Sequence, residues 1–378
     1  MFSRRLPARF EGNRLSRALA ERRSCGLKVL DLTESNPTRA FDAPDLRAVF
    51  ASPRLAVYDP SPFGLDSTRH AVAQRFPGVD AQSVLLTSST SESYSWLFKL
   101  LADPGDEILV PRPSYPLFEY LAAFESVEAK PYRLDYHGRW QVDPASIADA
   151  VTPRTRAIVA VNPNNPTGSF LKAAERDLLF DLAARHGLAL ISDEVFFDYA
   201  LRSDPNRVSL SGEAPVLTFT LGGLSKAAGL PQMKLGWMVV GGPPHLRESA
   251  LERLELIADT YLSVGTPVQV AAPALLALSS GFQEMLMARL HENLAYLQRV
   301  TAEAPAFELL DVEGGWYAIL RVPKIRSEEE WTLDLLERRG VLVQPGYFYD
   351  FEREAYLVLS LITRGDPFRE GVECILTL

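Results

Sequence analysis

Short apolar runs alternate with longer amphipathic stretches through the first two thirds of the chain. Stretches such as SESYSWLFKLLADPG (91–105) and LKAAERDLLFDLAARHG (171–187) have apolar residues at helical spacing and a glycine near their ends. The short runs are typical of buried strands: SVLLT (83–87), EILVP (107–111), AIVAVNP (157–163), LALISDEV (188–195), VLTFTLG (216–222) and LGWMVVGG (235–242). This alternation predicts an α/β fold with a large, mostly parallel sheet flanked by helices.

The pattern changes after LSSG (278–281). A helix is predicted through MLMARLHENLAYLQRVTAE (285–303), followed by the shorter runs GGWYAILRV (314–322), GVLVQPG (340–346) and AYLVLSLI (355–362). We expect a second, smaller α+β domain here, joined by the first forty-odd residues. The predicted large domain spans 46–278, and the predicted small domain combines 1–45 with 279–378.

Composition narrows the class of protein. With 378 residues and 47% hydrophobic content, the chain can bury a sizeable core. Its net charge of -9 disfavours nucleic acid as a partner. The two cysteines, Cys25 and Cys374, provide neither a disulfide framework nor a CxxC metal site, so we expect no metal and a reducing cytoplasm.

The arginine-rich N-terminus, MFSRRLPARFEGNRLSRALAERR, lacks the apolar core of a secretory signal. It is predicted to form a helix, which either stays solvated or packs on a partner subunit. Since no run of about 18 apolar residues occurs, a membrane partner is not expected.

Candidate chemistry follows the predicted strands, because ligands of such sheets bind beyond the carboxyl ends of the strands. TSSTSES (87–93) leads into a helix, and hydroxyl groups at a helix start can be a simple cap or a phosphate site. The turn NNPTG holds Asn165 beside another strand end. Asp193 ends a buried strand and needs a partner there, which could be an arginine, a helix N-terminus or a protonated ring nitrogen.

Two lysines lie in the glycine-rich segment LGGLSKAAGLPQMKLGW (221–237). Lys226 follows a predicted strand, where desolvation lowers a lysine pKa and favours Schiff-base chemistry. Lys234 precedes the next strand and could hold a phosphate as a point charge. One lysine for a carbonyl carbon and one for a phosphate indicate a cofactor site.

The ordered set of segments resembles the class I/II aminotransferases of the fold-type I pyridoxal-phosphate (PLP) enzymes, and the likeness extends over nearly the whole chain. The segments that carry it are ESNPT, YDPSPFG, TSSTSES, PRPSYPLFEY, NPNNPTG, SDEVF, LSK, KLGW and PGYFYDF. The resemblance implies transfer of an amino group between an amino acid and a 2-oxo acid by a homodimer.

The resemblance also implies residue roles. Lys226 would hold PLP as a Schiff base and move the substrate proton, and Asp193 would pair with the ring nitrogen. Asn165 would bind the ring oxygen, Tyr115 would stack on the ring, and Ser35 with Asn165 would contact the substrate. The phosphate would be held by Ser88, Ser89, Thr90, Lys234 and, from the neighbouring subunit, Tyr58.

Several positions depart from the family pattern. Phe196 stands where the family has a tyrosine, so one donor to the ring oxygen is lost. Ser89 replaces a common glycine and Lys234 a common arginine. Val358 occupies the place of the arginine that clamps the substrate carboxylate. Either another arginine substitutes, with Arg364 the nearest in sequence and Arg39 a second candidate, or the substrate is not an ordinary α-amino acid.

The departure at Val358 leaves other reactions open. Fold and cofactor do not determine which bond breaks, so a β-lyase, racemase or decarboxylase is the alternative prediction, with a non-catalytic PLP-binding regulator as a third. Four aromatic residues, Phe63, Trp316, Tyr347 and Tyr349, indicate either an apolar or aromatic substrate or ordinary core packing.

Overall fold

The computed structural model describes residues 2–7, 12–42, 44–353 and 355–378. The strands are β1 (Leu30–Asp31), β2 (Val84–Thr87), β3 (Glu107–Arg112), β4 (Glu128–Tyr136), β5 (Trp140–Val142), β6 (Thr155–Val161), β7 (Ala189–Asp193), β8 (Thr218–Gly223), β9 (Gly236–Gly241), β10 (Glu308–Leu309), β11 (Tyr317–Arg321), β12 (Val341–Leu342), β13 (Gln344–Pro345) and β14 (Tyr356–Ser360).

The helices are α1 (Arg14–Ser24), α2 (Pro37–Ala40), α3 (Asp66–Ala73), α4 (Thr90–Leu101), α5 (Phe118–Phe124), α6 (Pro144–Ala150), α7 (Ala173–His186), α8 (Leu224–Ala227), α9 (Pro244–Tyr261), α10 (Thr266–Ala277), α11 (Ser279–Ala302), α12 (Glu328–Asp334) and α13 (Gly365–Leu376). Among the described residues, no single helix has the length and apolar character needed to cross a membrane; α10 and α11 meet that criterion only as a pair bent by 59°.

Eight strands form one large sheet in the order β2-β9-β8-β7-β6-β3-β4-β5. Neighbours from β8 to β4 pair in parallel, whereas β9 pairs antiparallel with both β2 and β8, and β5 pairs antiparallel with β4. Because β2 therefore points the same way as β8, the carboxyl ends of β2, β6, β7 and β8 meet at one edge. The predicted α/β fold with a mostly parallel sheet is confirmed.

Both faces of this sheet are buried. Along β3, Ile108 and Leu109 belong to different cores, and along β6 the same holds for Ile158 and Val159. Side chains of successive strand residues point to opposite faces, so helices must cover both sides, and this explains the uninterrupted apolar runs.

The remaining strands form smaller sheets. An antiparallel sheet has the order β10-β11-β14-β13, and β1 pairs in parallel with β12. The pairing of β1 with β12 places Leu30 beside Val341. The division of the chain into a domain of 46–278 and a domain of 1–45 with 279–378 stays a prediction.

All six predicted strands of the large sheet are present, as β2, β3, β6, β7, β8 and β9. The sequence did not reveal β4 and β5, which end the sheet. The segment EAKPYRLDY of β4 is polar, contains Pro131 and has several exposed residues. At the margin of a sheet a strand buries less of its surface, so the apolar signal is weak there.

Candidate active site

A cavity of about 220 Å³ lies at the edge where β2, β6, β7 and β8 end. It lies between this edge and the smaller antiparallel sheet, because β11 contributes Tyr317 to its wall. The described residues that line it are Ser35, Ser89, Thr90, Ser91, Tyr94, Tyr115, Leu121, Val161, Asn165, Asp193, Val195, Phe196, Gly223, Ser225, Lys226, Leu235, Gly236 and Tyr317.

Lys226 reaches the cavity from α8, the short helix that directly follows β8. Its amine lies 4.5 Å from the ring centroid of Trp316 and 5.3 Å from that of Phe196. The Nζ atom donates a long hydrogen bond of 3.5 Å to the carbonyl of Ser35. Desolvation lowers the pKa of Lys226 to about 8, against the opposing effect of the Asp193 charge. The neutral, nucleophilic amine is therefore more populated near neutral pH than in an ordinary lysine.

Asp193 is the last residue of β7, in register with Val161 on β6 and Leu221 on β8. Its Oδ1 accepts a 3.2 Å hydrogen bond from the Val195 amide. Burial raises the pKa of Asp193 to about 6, although the amide, Tyr94 and Lys226 favour the charged form. At neutral pH the group is a carboxylate, which suits it to hold a positively charged ring nitrogen.

Tyr94 is a site residue that the sequence did not reveal. Its hydroxyl donates a 3.0 Å hydrogen bond to Asp193 Oδ2. Helical spacing could have revealed it, because Tyr94 lies four residues after Thr90 and therefore on the same face of α4. The segment TSSTSES that the sequence analysis considered ends one residue before Tyr94.

Hydroxyl residues at the start of α4 line the cavity as predicted for Ser89 and Thr90, and Ser91 lines it as well. Ser89 is the N-cap, and its Oγ accepts a 3.2 Å hydrogen bond from the Glu92 amide. Gly236 lets β9 approach this helix start, because a Cβ there would lie 3.0 Å from the Ser89 carbonyl carbon. The residue that caps α4, Ser89, is thus also one of the residues predicted to bind the phosphate.

Two predicted phosphate ligands lie outside the cavity lining. Ser88 uses its amide to bind Glu92 Oε2 at 2.6 Å. Lys234 is exposed in a left-handed conformation with φ of 50°, just before β9. A further hydroxyl residue, Ser225, lines the cavity and precedes Lys226 in the chain.

Asn165 lines the cavity from the turn after β6. Its Oδ1 is buried and has no hydrogen-bond partner among the described residues. A buried amide without a partner is costly, so this side chain fits the edge of a polar ligand.

Aromatic rings form much of the remaining wall. Tyr115 is 40% exposed, and its ring lies edge-on to Phe118 at 6.4 Å. Phe196 packs edge-on against Trp316 at 5.2 Å. None of the four aromatic residues predicted near the pocket is in the described lining, namely Phe63, Trp316, Tyr347 and Tyr349, although the Trp316 ring lies close to the Lys226 amine.

Of the residues predicted to contact the substrate or to replace the arginine clamp, some lie outside the cavity lining. Ser35 lines the cavity, but Arg364 is exposed at the N-cap of α13, and Arg39 is exposed on α2. Val358 is fully buried within β14 and pairs with Ile319. Among the described lining residues there is no arginine.

Tyr58 is 74% exposed and lines a separate small cavity with Asp59 and Trp96. It is therefore not part of the Lys226 cavity of its own chain.

These residues fit pyridoxal phosphate. An amine, a carboxylate, an unpartnered amide and a row of hydroxyl groups at a helix start converge on one cavity. They match the aldehyde, the ring nitrogen, the ring oxygen and the phosphate of the cofactor.

Comparison with known proteins agrees with this geometry. The family model described as Aminotransferase class I and II matches residues 32–361. The alanine aminotransferase of Mycobacterium tuberculosis H37Rv is 31% identical over 365 residues, which cover 92% of this chain and 85% of that protein. The glutamate-pyruvate aminotransferase AlaA of Escherichia coli K12 is 30% identical over 357 residues, covering 90% and 88%.

A solved aminotransferase structure from Escherichia coli superimposes with a TM-score of 0.87 at 27% identity, covering 100% of this chain and 97% of that one. Because the family match extends over most of the sequence, and because the strand-end cavity holds the groups that the cofactor needs, the chain belongs to the class I and II aminotransferases and is a pyridoxal-phosphate-dependent enzyme of fold type I.

Proposed function

We propose that this aminotransferase moves an amino group between an amino acid and a 2-oxo acid through a Schiff base on Lys226. The observation that carries the proposal is the position of Lys226, whose amine shares one cavity with Asp193 and has a pKa lowered to about 8. An amine of this kind can react with an aldehyde and later accept a proton from carbon.

The chain's own residues have separate tasks in this proposal. Bound PLP supplies an electron sink for negative charge on the substrate carbon. Lys226 Nζ would take the proton from that carbon and hold it for delivery to the cofactor carbon that began as the aldehyde, and Asp193 would keep the ring nitrogen protonated. Asn165 binds the ring oxygen, Tyr115 covers the ring, and Ser89, Thr90 and Ser225 bind the phosphate. Ser88 and Lys234 stay predicted phosphate ligands.

Alanine with pyruvate as its product is the first substrate pair to test. The support comes from two relatives, which are an alanine aminotransferase and a glutamate-pyruvate aminotransferase. Ser35 and Asn165 are the proposed contacts to the substrate, since both line the cavity.

Reduction with borohydride tests the Lys226 assignment. The PLP-loaded protein is reduced, digested and analysed by mass spectrometry, and the cofactor mass is expected on the peptide that contains Lys226. Lys226→Ala should lose the covalent chromophore, whereas the matched variant Lys234→Ala should keep it. A cofactor adduct on another lysine of the native protein would refute the assignment.

We further propose a homodimer in which Tyr58 reaches the phosphate of the neighbouring subunit. Support comes from the exposure of Val57 and Tyr58, at 60% and 74%, because exposed apolar neighbours favour a protein interface. A cytoplasmic location is also proposed, supported by the two unpaired cysteines, Cys25 and Cys374.

Mixed dimers test whether Tyr58 acts across the interface. Tyr58→Ala and Lys226→Ala chains are mixed and reassociated. If Tyr58 serves the partner's site, each mixed dimer regains one complete site and activity returns toward half of the native value. If Tyr58 serves its own chain, no mixed dimer is active, and the proposal is wrong.

A further inference from the structure

Tyr94 connects α4, whose first residues line the cavity, to the carboxylate of Asp193 at the end of β7. It lies on α4, is only 2% exposed, and donates its hydrogen bond to Asp193 Oδ2 over 3.0 Å. The two residues are 99 positions apart in the chain. Their contact therefore ties α4 to the end of β7.

The ring of Tyr94 is held on two sides. Phe118 from α5 lies edge-on to it at 5.3 Å with an interplanar angle of 85°, and Phe98 lies at 5.9 Å. The same Phe118 contacts Tyr115 at 6.4 Å. A ring packed in this way has little freedom to move its hydroxyl, so the geometry of the hydrogen bond is fixed before any ligand binds.

The hydroxyl of Tyr94 stays protonated, and therefore able to donate, at all ordinary pH values. Burial, and secondly the charge of Asp193, raise the pKa of Tyr94 well above its usual range. The other groups that face Asp193 are the Val195 amide, the Lys226 amine and the phenol of Tyr115. The hydroxyl of Tyr94 donates to Asp193 Oδ2, whereas the Val195 amide donates to Oδ1.

We propose that Tyr94 is a positioning residue which, through this donated hydrogen bond, holds the Asp193 carboxylate charged and oriented toward the ring nitrogen of the cofactor. The inference rests on the proposed function, because it takes Asp193 as the partner of that nitrogen. Tyr94 acts through Asp193 and needs no contact with the substrate.

The sign of the effect follows from the hydrogen bond. A donor to the charged form of a carboxylic acid lowers its proton affinity, so removal of the donor raises the pKa of Asp193 above its value of about 6. The carboxylate, and with it the grip on a protonated ring nitrogen, is lost as pH falls through that pKa. Without Tyr94 the loss begins at a higher pH.

The test compares Tyr94→Phe with Tyr132→Phe. Tyr132 is equally buried, and its hydroxyl donates to the Val159 carbonyl at 2.9 Å, away from the cavity. The full-length proteins are titrated with pyridoxamine phosphate, which cannot form a Schiff base with Lys226, from about pH 5.5 to about pH 8.5. Dissociation constants are measured by fluorescence, and thermal unfolding is recorded in parallel.

We expect Tyr94→Phe to bind pyridoxamine phosphate about threefold to tenfold more weakly than the native protein near pH 6, with a small difference at the highest pH. Tyr132→Phe should follow the native pH profile. A Tyr94→Phe profile that matches the native one, or that is weaker by the same factor at every pH, would overturn the inference.

Asp193→Asn separates this inference from the proposed function. The variant should bind the probe weakly at every pH. If Asp193→Asn binds pyridoxamine phosphate as tightly as the native protein does at high pH, Asp193 does not hold the ring nitrogen. The proposed role of Asp193 and the proposed role of Tyr94 are then both refuted. If it binds weakly while Tyr94→Phe behaves as the native protein, only the role of Tyr94 is refuted.

Discussion

The two walls of the Lys226 cavity differ in how their residues are held. The cofactor wall, formed by the strand ends with Ser89, Asn165, Asp193 and Lys226, carries polar groups that mostly have defined partners close to the cavity. The wall that the proposed function assigns to the substrate, called the substrate wall, presents Tyr317 of β11. The strand β14, which contains the buried Val358, pairs with β11 but has no residue in the described lining. Charge is concentrated on one wall.

This difference indicates where the chemistry and where the specificity reside. The cofactor wall holds a carboxylate and an amine whose pKa values are both moved toward neutrality, at about 6 and about 8. The substrate wall offers shape and neutral donors. We infer that the reaction type is determined by the first wall and the choice of substrate by the second.

The largest expected effect is on the cofactor wall. Asp193→Ala should lower kcat by about a hundredfold to a thousandfold, because it removes the carboxylate proposed to pair with the protonated ring nitrogen of the cofactor. Steady-state kinetics at saturating cofactor measure this.

Glu194→Gln is the matched control for that variant. Glu194 is the next residue but points away from the cavity, where its carboxylate accepts hydrogen bonds from Ser192, Ser209 and the Leu210 amide. The Glu194→Gln variant should keep a kcat near the native value, while the midpoint temperature of its thermal unfolding falls. Equal losses of kcat in both variants would show that the cofactor wall has no special role.

The second effect concerns the substrate wall. Val358→Arg should lower the KM for a 2-oxo acid by about tenfold if position 358 can reach the substrate, because a guanidinium binds a carboxylate in two places. Stability should fall, since Val358 is fully buried. Val358→Met is the control of similar length without charge, and identical KM values for the two variants would remove position 358 from the substrate wall.

A smaller effect is expected at Phe196, which packs on Trp316 and lies near the Lys226 amine. Phe196→Tyr adds a hydroxyl donor, which should stabilise a negative ring oxygen. We expect the midpoint pH, at which the visible band of the bound cofactor changes, to fall by about 1 unit. A spectrophotometric titration measures the shift. An unmoved band would mean that the new hydroxyl does not reach the ring.

The smallest effect is expected at Arg364. The sequence predicts that Arg364→Ala raises KM strongly, but the residue is exposed at the N-cap of α13 and outside the cavity lining. We expect a KM within about twofold of the native value. A strong rise would bring Arg364 into the substrate wall after all.

The meeting of the cofactor-wall residues at one sheet edge was predictable, because each of them ends or follows a strand that the apolar pattern reveals, while their roles toward the cofactor stay predictions. Asp193 and Lys226 come at the ends of β7 and β8, and parallel strands bring such ends together. Helical spacing could have added Tyr94. The hydrogen bond between Tyr94 and Asp193 could not be predicted, since it depends on the packing of α4 against the sheet.

The substrate wall was harder to predict because its residues meet through pairings distant in sequence. Tyr317 faces the cavity through the antiparallel pairing of β11 with β14. The sequence offered Arg364 as a nearby charge, but four residues after Ser360 the chain has already left β14 and begun α13. Proximity in sequence does not predict proximity in space after a strand ends.

The parallel pairing of β1 with β12 has a consequence for the order in which the enzyme is made. Leu30 lies beside Val341, so β1, which precedes the segment that carries Ser35, has no described sheet partner until Val341 and Leu342 have left the ribosome. The large sheet, with Asp193 and Lys226, is synthesised well before that moment. While it is being synthesised, the chain therefore has Lys226 exposed to solvent before β12 can pair with β1, and the contact of the Ser35 carbonyl with the Lys226 amine depends on a segment that pairs late.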